Sequence, residues 1–170
     1  SSYPLKGYSA FTRDNRTRTP MISVGGNDGM LHGFSIADGR EKMAYVPKGV
    51  IPTLRYLTDA SYNRTHKYFV DGSSMTGDVD LGTGVQDPAD PAYDANYAPN
   101  WRTLLVGTLG AGGKGYFALD VTNPSAVDIP APANIPGFAD NNAQQLVMLD
   151  RSRSLLDPVP NCALNGMSAA

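Results

Sequence analysis

The chain has 170 residues, 41% hydrophobic and 18% charged, with a formal net charge of −2. That is enough for one globular domain with a real core, and the nearly balanced charge excludes a global attraction to nucleic acid or to an anionic membrane. No apolar run approaches the roughly 20 residues that cross a bilayer, and Ser1-Ser2-Tyr3-Pro4 lacks the basic and apolar regions of a signal peptide, so no direct membrane insertion is expected.

In chain order, residues 1–19 read as an irregular lead-in whose Arg13, Arg16 and Arg18 form a solvated cluster. A β-hairpin follows over 20–36: MISVGGNDGMLHGF is a short apolar run ending in Val-Gly, then a turn, then a second strand. Asn27-Asp28-Gly29 suits that turn, because Asn, Asp and Gly adopt positive φ at least cost. Residues 41–46 alternate as a half-buried third strand that Pro47 ends. Residues 50–57 are apolar enough for a short helix or an irregular crossover, with Pro52 against a long one. Strands are predicted at 67–71 and 75–81, and residues 82–100, rich in Gly, Asp, Pro and Asn, form a long loop.

A second hairpin begins near Arg102, in LLVGTLGAGGKGYFALDV, and repeats the first with Val106-Gly107 on Val24-Gly25. The spacing suits one elaborated propeller blade or two ordinary ones of about 40 to 45 residues. A ring needs about four to eight blades, and a few blades alone would leave open strand edges. The chain therefore reads as all-β and as a piece of a larger propeller, with blades over 20–123 and a Pro- and Ala-rich insertion or tail over 124–170. In that tail only 144–149 has the periodicity of an ordered element. Cys162 is the single cysteine among 18 Gly and 13 Pro, so it cannot pair within the chain. No His or basic residue close by in sequence activates it.

Residues 110–115 spell G-x-G-x-x-G, but a dinucleotide turn needs a helix to follow, and residues 116–121 read as a strand. The glycines are expected to permit positive φ and close backbone approach. His32 shares a face with Met30 and Phe34, predicted to pack between blades. His66 has no partner at metal spacing. Tyr68, Phe69, Trp101, Tyr116 and Phe117 are expected to fill the space between blades. Asp71 and Asp120 end strands as turn formers. No Ser-His-Asp set or paired catalytic carboxylates occurs, so an enzyme is not expected.

The run RTPMISVGGNDGMLHGFSIADGRE, then AYVPKGVIPTLRYLTD, HKYFVDGSSMTGDV and WRTLLVGTLGAGGKGYFALDVTNP, resembles the C-terminal propeller of the PilC/PilY family, the type IV pilus tip-associated adhesins of Gram-negative bacteria. The resemblance covers about residues 18–124. It implies a modified quinoprotein-like β-propeller, of which this chain supplies about two to three blades with long loop insertions. It further implies a non-enzymatic role in pilus biogenesis, twitching motility and adhesion, at the pilus tip or outer membrane surface after passage through the periplasm. The implied partners are minor and major pilins and the host-cell surface. No cofactor is expected within the segment, although the family is linked to calcium through an Asp-rich propeller loop. The calcium candidates here are Asp78, Asp80 and Asp87, with Asp87, Asp90 and Asp94 able to contribute only if the loop folds back, and Gly82 stands where an EF-hand-like site wants Asp or Asn. Two alternatives remain: a quinoprotein-like propeller enzyme fragment, and a glycan-binding module that uses Trp101 and the aromatics of loop 82–100. For pilus contacts, loop 82–100 and the turn at 110–115 are the expected surfaces.

Overall fold

A computed structural model describes residues 6–125 and 135–157. Residues 126–134 and 158–170, Cys162 among them, lie outside the described residues. The chain is all-β, with two antiparallel sheets joined by short helical pieces. The first sheet has the order β1 (Met21–Gly25), β2 (Leu31–Ser35), β3 (Glu41–Tyr45). The second runs β4 (Met75–Asp80), β5 (Trp101–Thr108), β6 (Tyr116–Asp120), β7 (Val147–Asp150). Each sheet is a meander of neighbouring strands, the form of a propeller blade.

The repeated hairpins occupy equivalent places. Gly25 pairs with Leu31 as Gly107 pairs with Phe117, so β1 corresponds to β5, β2 to β6 and β3 to β7. The first turn is tight because Gly29 takes φ 98° and the Asp28 carboxylate accepts the Met30 N–H at 3.1 Å. β4 has no counterpart in the first sheet, which leaves β1 as an edge strand among the described residues.

The two sheets bury one face each against the other. Leu31, Leu105, Phe117 and Leu119 form the centre, with Met43, Tyr45 and Val147 packed around them. Crossover residues Val50, Phe69 and Val70 close the same core. Val50 precedes a 3-10 helix, Ile51–Thr58, that starts at a proline position and is short, as Pro52 predicts. Tyr45 and Phe117 meet across the seam with ring centroids 5.2 Å apart.

Four expectations are corrected. The lead-in contains a helix, α1 (Tyr8–Asp14), because Tyr8 and Phe11, three apart, both rest on Trp101. Residues 67–71 are not a strand. Phe69 and Val70 are fully buried there, so their apolar character marks core plugging and not sheet pairing. The face that carries His32 and Phe34 is turned away from the second sheet, since Leu31, Gly33 and Ser35 are the buried set of β2. Of the five aromatics expected between blades, only Phe69 and Phe117 lie there; Tyr68 and Tyr116 are about half exposed, and Trp101 packs under α1. The ordered element expected at 144–149 is present as a helical turn, α2 (Ala143–Leu146), leading into β7.

Candidate functional site

Three surfaces stand out: loop 82–100 at the Trp101 end of the second sheet, the glycine-rich turn, and the groove along β1. Asp80 closes the base of the loop. Its Oδ1 accepts the Gly82 N–H at 2.9 Å and the Asn100 N–H at 2.7 Å, while Oδ2 accepts the Gln86 side-chain amide at 3.0 Å. Burial pushes the Asp80 carboxyl up, but the N–H groups of Asn100 and Gly82, with Tyr97 and Gln86, outweigh that and hold it below the ordinary carboxylate range. Inside the loop, Asp87, Asp90 and Asp94 each accept the N–H two residues on, from Ala89, Ala92 and Asn96. These Asx turns curl the chain locally, and the buried Tyr97 pins it, its carbonyl accepting from Lys6 Nζ at 2.6 Å.

The calcium candidates are therefore committed elsewhere. Asp78 accepts the Thr103 hydroxyl at 2.6 Å on one oxygen and the Tyr8 hydroxyl at 3.0 Å on the other. All four carboxylate oxygens of Asp78 and Asp80 already accept protein donors, and Asp87 bonds within its own turn. No group of three His, Cys, Asp or Glu able to hold a metal ion forms among the described residues. This donor set does not fit Ca²⁺, which takes six to eight converging oxygens. Trp101 is engaged within the fold: the Tyr8 ring tilts against it at 4.6 Å, and its indole N–H donates to the Lys6 carbonyl at 2.8 Å.

The turn at 110–115 packs against backbone on both sides. Gly112 lies so close to the Phe69 backbone, and Gly115 (φ 93°) to the Arg151 carbonyl, that no side chain fits at either. Lys114 pairs with Arg153 through two backbone hydrogen bonds, 2.9 and 2.7 Å. Strand β6, not a helix, follows this turn.

Sequence reasoning missed the polar latches of the seam. Asp150, at the end of β7, accepts the Tyr45 hydroxyl at 2.6 Å and the Lys48 N–H at 2.8 Å on Oδ2; Oδ1 accepts the Ser152 N–H at 2.8 Å. Ser152 in turn accepts the Gly49 N–H at 2.9 Å. The end of β6 repeats the device within the second sheet: Asp120 accepts the Thr122 N–H and hydroxyl, and Thr122 accepts the Thr103 N–H at 2.9 Å. The legible signal was Asp-x-Thr and Asp-x-Ser at two strand ends, Asp120-Val121-Thr122 and Asp150-Arg151-Ser152. Asp120 also holds Arg102 at 3.1 Å in a buried ion pair.

On the outer face of the first sheet, His32 bridges two carboxylates, Asp28 on Nε2 at 2.9 Å and Glu41 on Nδ1 at 2.5 Å. Two clefts lie along β1 and meet at Ser23. One, of ≈ 340 Å³, is walled by Met21, Met43, Thr76 and Thr103. The other, of ≈ 450 Å³, is polar and lies between Gly25 and residues 70–74.

A family model described as the PilY1 beta-propeller domain matches residues 2–162. The chain belongs to this family. It is 38% identical over 143 residues to a type IV pilus biogenesis factor PilY1 homolog of Xylella fastidiosa, covering 82% of this chain and 10% of that protein. It is 41% identical over 127 residues to the type IV pilus biogenesis factor PilY1 of Pseudomonas aeruginosa, covering 74% of this chain and 10% of that protein. The crystal structure of the Pseudomonas aeruginosa PilY1 C-terminal domain aligns with 35% identity and a TM-score of 0.41, over 72% of this chain and 21% of that one. The chain spans about a tenth of the length of these curated PilY1 relatives. Both sheets fall inside the matched PilY1 propeller region.

Proposed function

We propose that this segment supplies two neighbouring blades to the propeller of a type IV pilus biogenesis protein and acts by presenting protein contact surface, without catalysis. The match of the PilY1 propeller family across both sheets carries the reading. The relatives are named as biogenesis factors, which supports a role in building pili. On this reading the parent protein works at the pilus tip, meets minor and major pilins, and serves twitching motility and attachment to surfaces or host cells.

Loop 82–100 is the contact surface. It is exposed over most of its length and presents Tyr93 at 46% exposure. Its base is fixed by Asp80, so a partner meets a shape that is already ordered, and little ordering entropy opposes binding. The test replaces residues 82–99 by a short Gly-Ser bridge in the parent gene. Surface pili are expected to fall several-fold while the protein level on an immunoblot holds. Full piliation at normal protein level overturns the assignment. Immunogold label against this segment is expected at the ends of sheared fibres, and label confined to the periplasm removes the tip location.

A further inference from the structure

Charge is segregated along this nearly neutral chain. Residues 75–100 hold five Asp and no Lys or Arg, whereas residues 55–67 carry Arg55, Arg64 and Lys67 against Asp59 alone. Asp59 is engaged within its own turn, where its Oδ1 accepts the Ser61 N–H at 2.8 Å and the Ser61 hydroxyl at 2.7 Å. Among the described residues no carboxylate pairs with Arg55, Arg64 or Lys67, and all three are exposed.

Aromatic rings are interleaved with these cations. The Arg55 guanidinium lies 5.2 Å from the Tyr56 ring centroid and Lys67 Nζ lies 5.7 Å from the same centroid, both within cation–π reach. Adjoining Lys67, the rings of Tyr62, His66 and Tyr68 form a row, with successive centroids 5.6 and 5.3 Å apart. Arg64 stands between Tyr62 and His66 in the same turn. The crossover is fixed in this shape: Leu54, Leu57 and Tyr62 pack on the core, the Tyr62 hydroxyl donates to the Lys67 carbonyl at 3.3 Å, and the Asn27 amide nitrogen meets His66 Nε2 at 3.3 Å. Tyr68 still keeps 51% of its surface exposed. Cations and rings are thus in place before a ligand arrives, which lowers the ordering cost of binding.

We infer that crossover 55–68 binds an anionic polysaccharide, with acid groups of the chain held by Arg55 and Lys67 around Tyr56 and sugar rings resting on the Tyr62, His66 and Tyr68 row. Arginine offers an oxyanion a planar fork of donors. Tyrosine presents an apolar face beside a hydroxyl, which matches a pyranose, apolar along its C–H edges and ringed by hydroxyls. A charged sugar chain supplies both features along its length. An anionic lipid surface asks for a denser cluster, about four to eight Lys and Arg, and a protein partner for a buried centre depleted of charge, whereas this patch has cations threaded through it. The site lies outside loop 82–100, so a parent protein whose loop makes no pilus contact can still satisfy it.

Binding of the full-length parent protein to immobilised polygalacturonate and dextran sulfate at physiological ionic strength tests the site, with neutral dextran, polyglutamate and phosphatidylglycerol vesicles as comparators. Binding to one or both charged sugars, and not to neutral dextran, is expected; the tighter of the two tells carboxylate from sulfate as the anion. Arg55→Gln combined with Lys67→Gln is expected to weaken binding about tenfold, and Tyr68→Ser several-fold, with the thermal midpoint unchanged because these side chains are exposed. Binding to neither charged sugar overturns the inference. Polyglutamate bound as tightly as the sugars assigns the patch to an acidic peptide, and vesicles bound as tightly assign it to a lipid surface; either removes the polysaccharide. Undiminished binding in the double variant moves the contact off this crossover, and undiminished binding in Tyr68→Ser leaves charge attraction without a sugar platform. Both results overturn the site as drawn.

Discussion

His32 shows how a residue that reads as packing can be electrostatic. Both ring nitrogens face carboxylates, a geometry that only the imidazolium satisfies, because neutral imidazole has one N–H. The hydrogen bond to Glu41 raises its pKa most, burial opposes, and Asp28 raises it further. With the folded pKa above the unfolded value of about 6.5, the stabilisation is complete below that value and is lost as pH rises through the folded one. The His32 ring protons are therefore expected to titrate above pH 6.5 by NMR, and Glu41→Gln is expected to lower that midpoint. A wild-type midpoint at or below 6.5 would show that the bridge does not form. Asp80 acts in the opposite sense, as a carboxylate held ionised by donors. Asp80→Ala is expected to release the base of loop 82–100, read as several-fold faster limited proteolysis between residues 82 and 99. Chelation with EGTA is expected to leave both the proteolysis rate and the thermal midpoint unchanged. Faster cleavage in EGTA would restore a cation to this loop.

At the scale of elements, hydrophobic burial holds the seam together and strand-end hydroxyl latches set its alignment. Asp150 accepts from β3, from the Lys48 backbone and from its own Ser152. Removing it breaks three part-buried or exposed hydrogen bonds at once, each with a net contribution of about 0.5–1.5 kcal/mol. Asp150→Ala is expected to destabilise by about 2 kcal/mol or more in chemical denaturation, with Asp150→Asn intermediate because an amide oxygen still accepts. Equal loss in both variants would assign the effect to charge and not to hydrogen bonding. The glycine-rich turn belongs to the same scale: with the Phe69 backbone against Gly112, Gly112→Ala displaces the crossover and is expected to destabilise more than Gly39→Ala, whose site has open space but whose φ of 68° carries its own strain. The hairpins, the third strand and the short 3-10 helix were legible because local patterning and turn chemistry decide them. The strand expected at 67–71 was not, since a short apolar run looks alike whether it pairs in a sheet or plugs a core.

For the molecule as a whole, the core lies between the blades and not within either. Phe117 is fully buried and touches Tyr45 across the seam. Phe117→Ala is expected to cost about 3–5 kcal/mol and to uncouple the two sheets, seen as loss of a single cooperative unfolding transition. One sharp transition at a lower midpoint would show that the latches alone keep them coupled. By itself the sequence determined the repeated hairpin, the all-β class, the propeller kinship and the long Asp-rich loop, because strand alternation, turn residues and repeat spacing are local and survive as pattern. Only the tertiary structure decided that α1 covers Trp101, that Asp78 and Asp80 bind protein donors, and that β1 is an edge strand among the described residues. Each of these depends on which residues distant in the chain the fold brings within hydrogen-bond or van der Waals reach, and no local pattern encodes that.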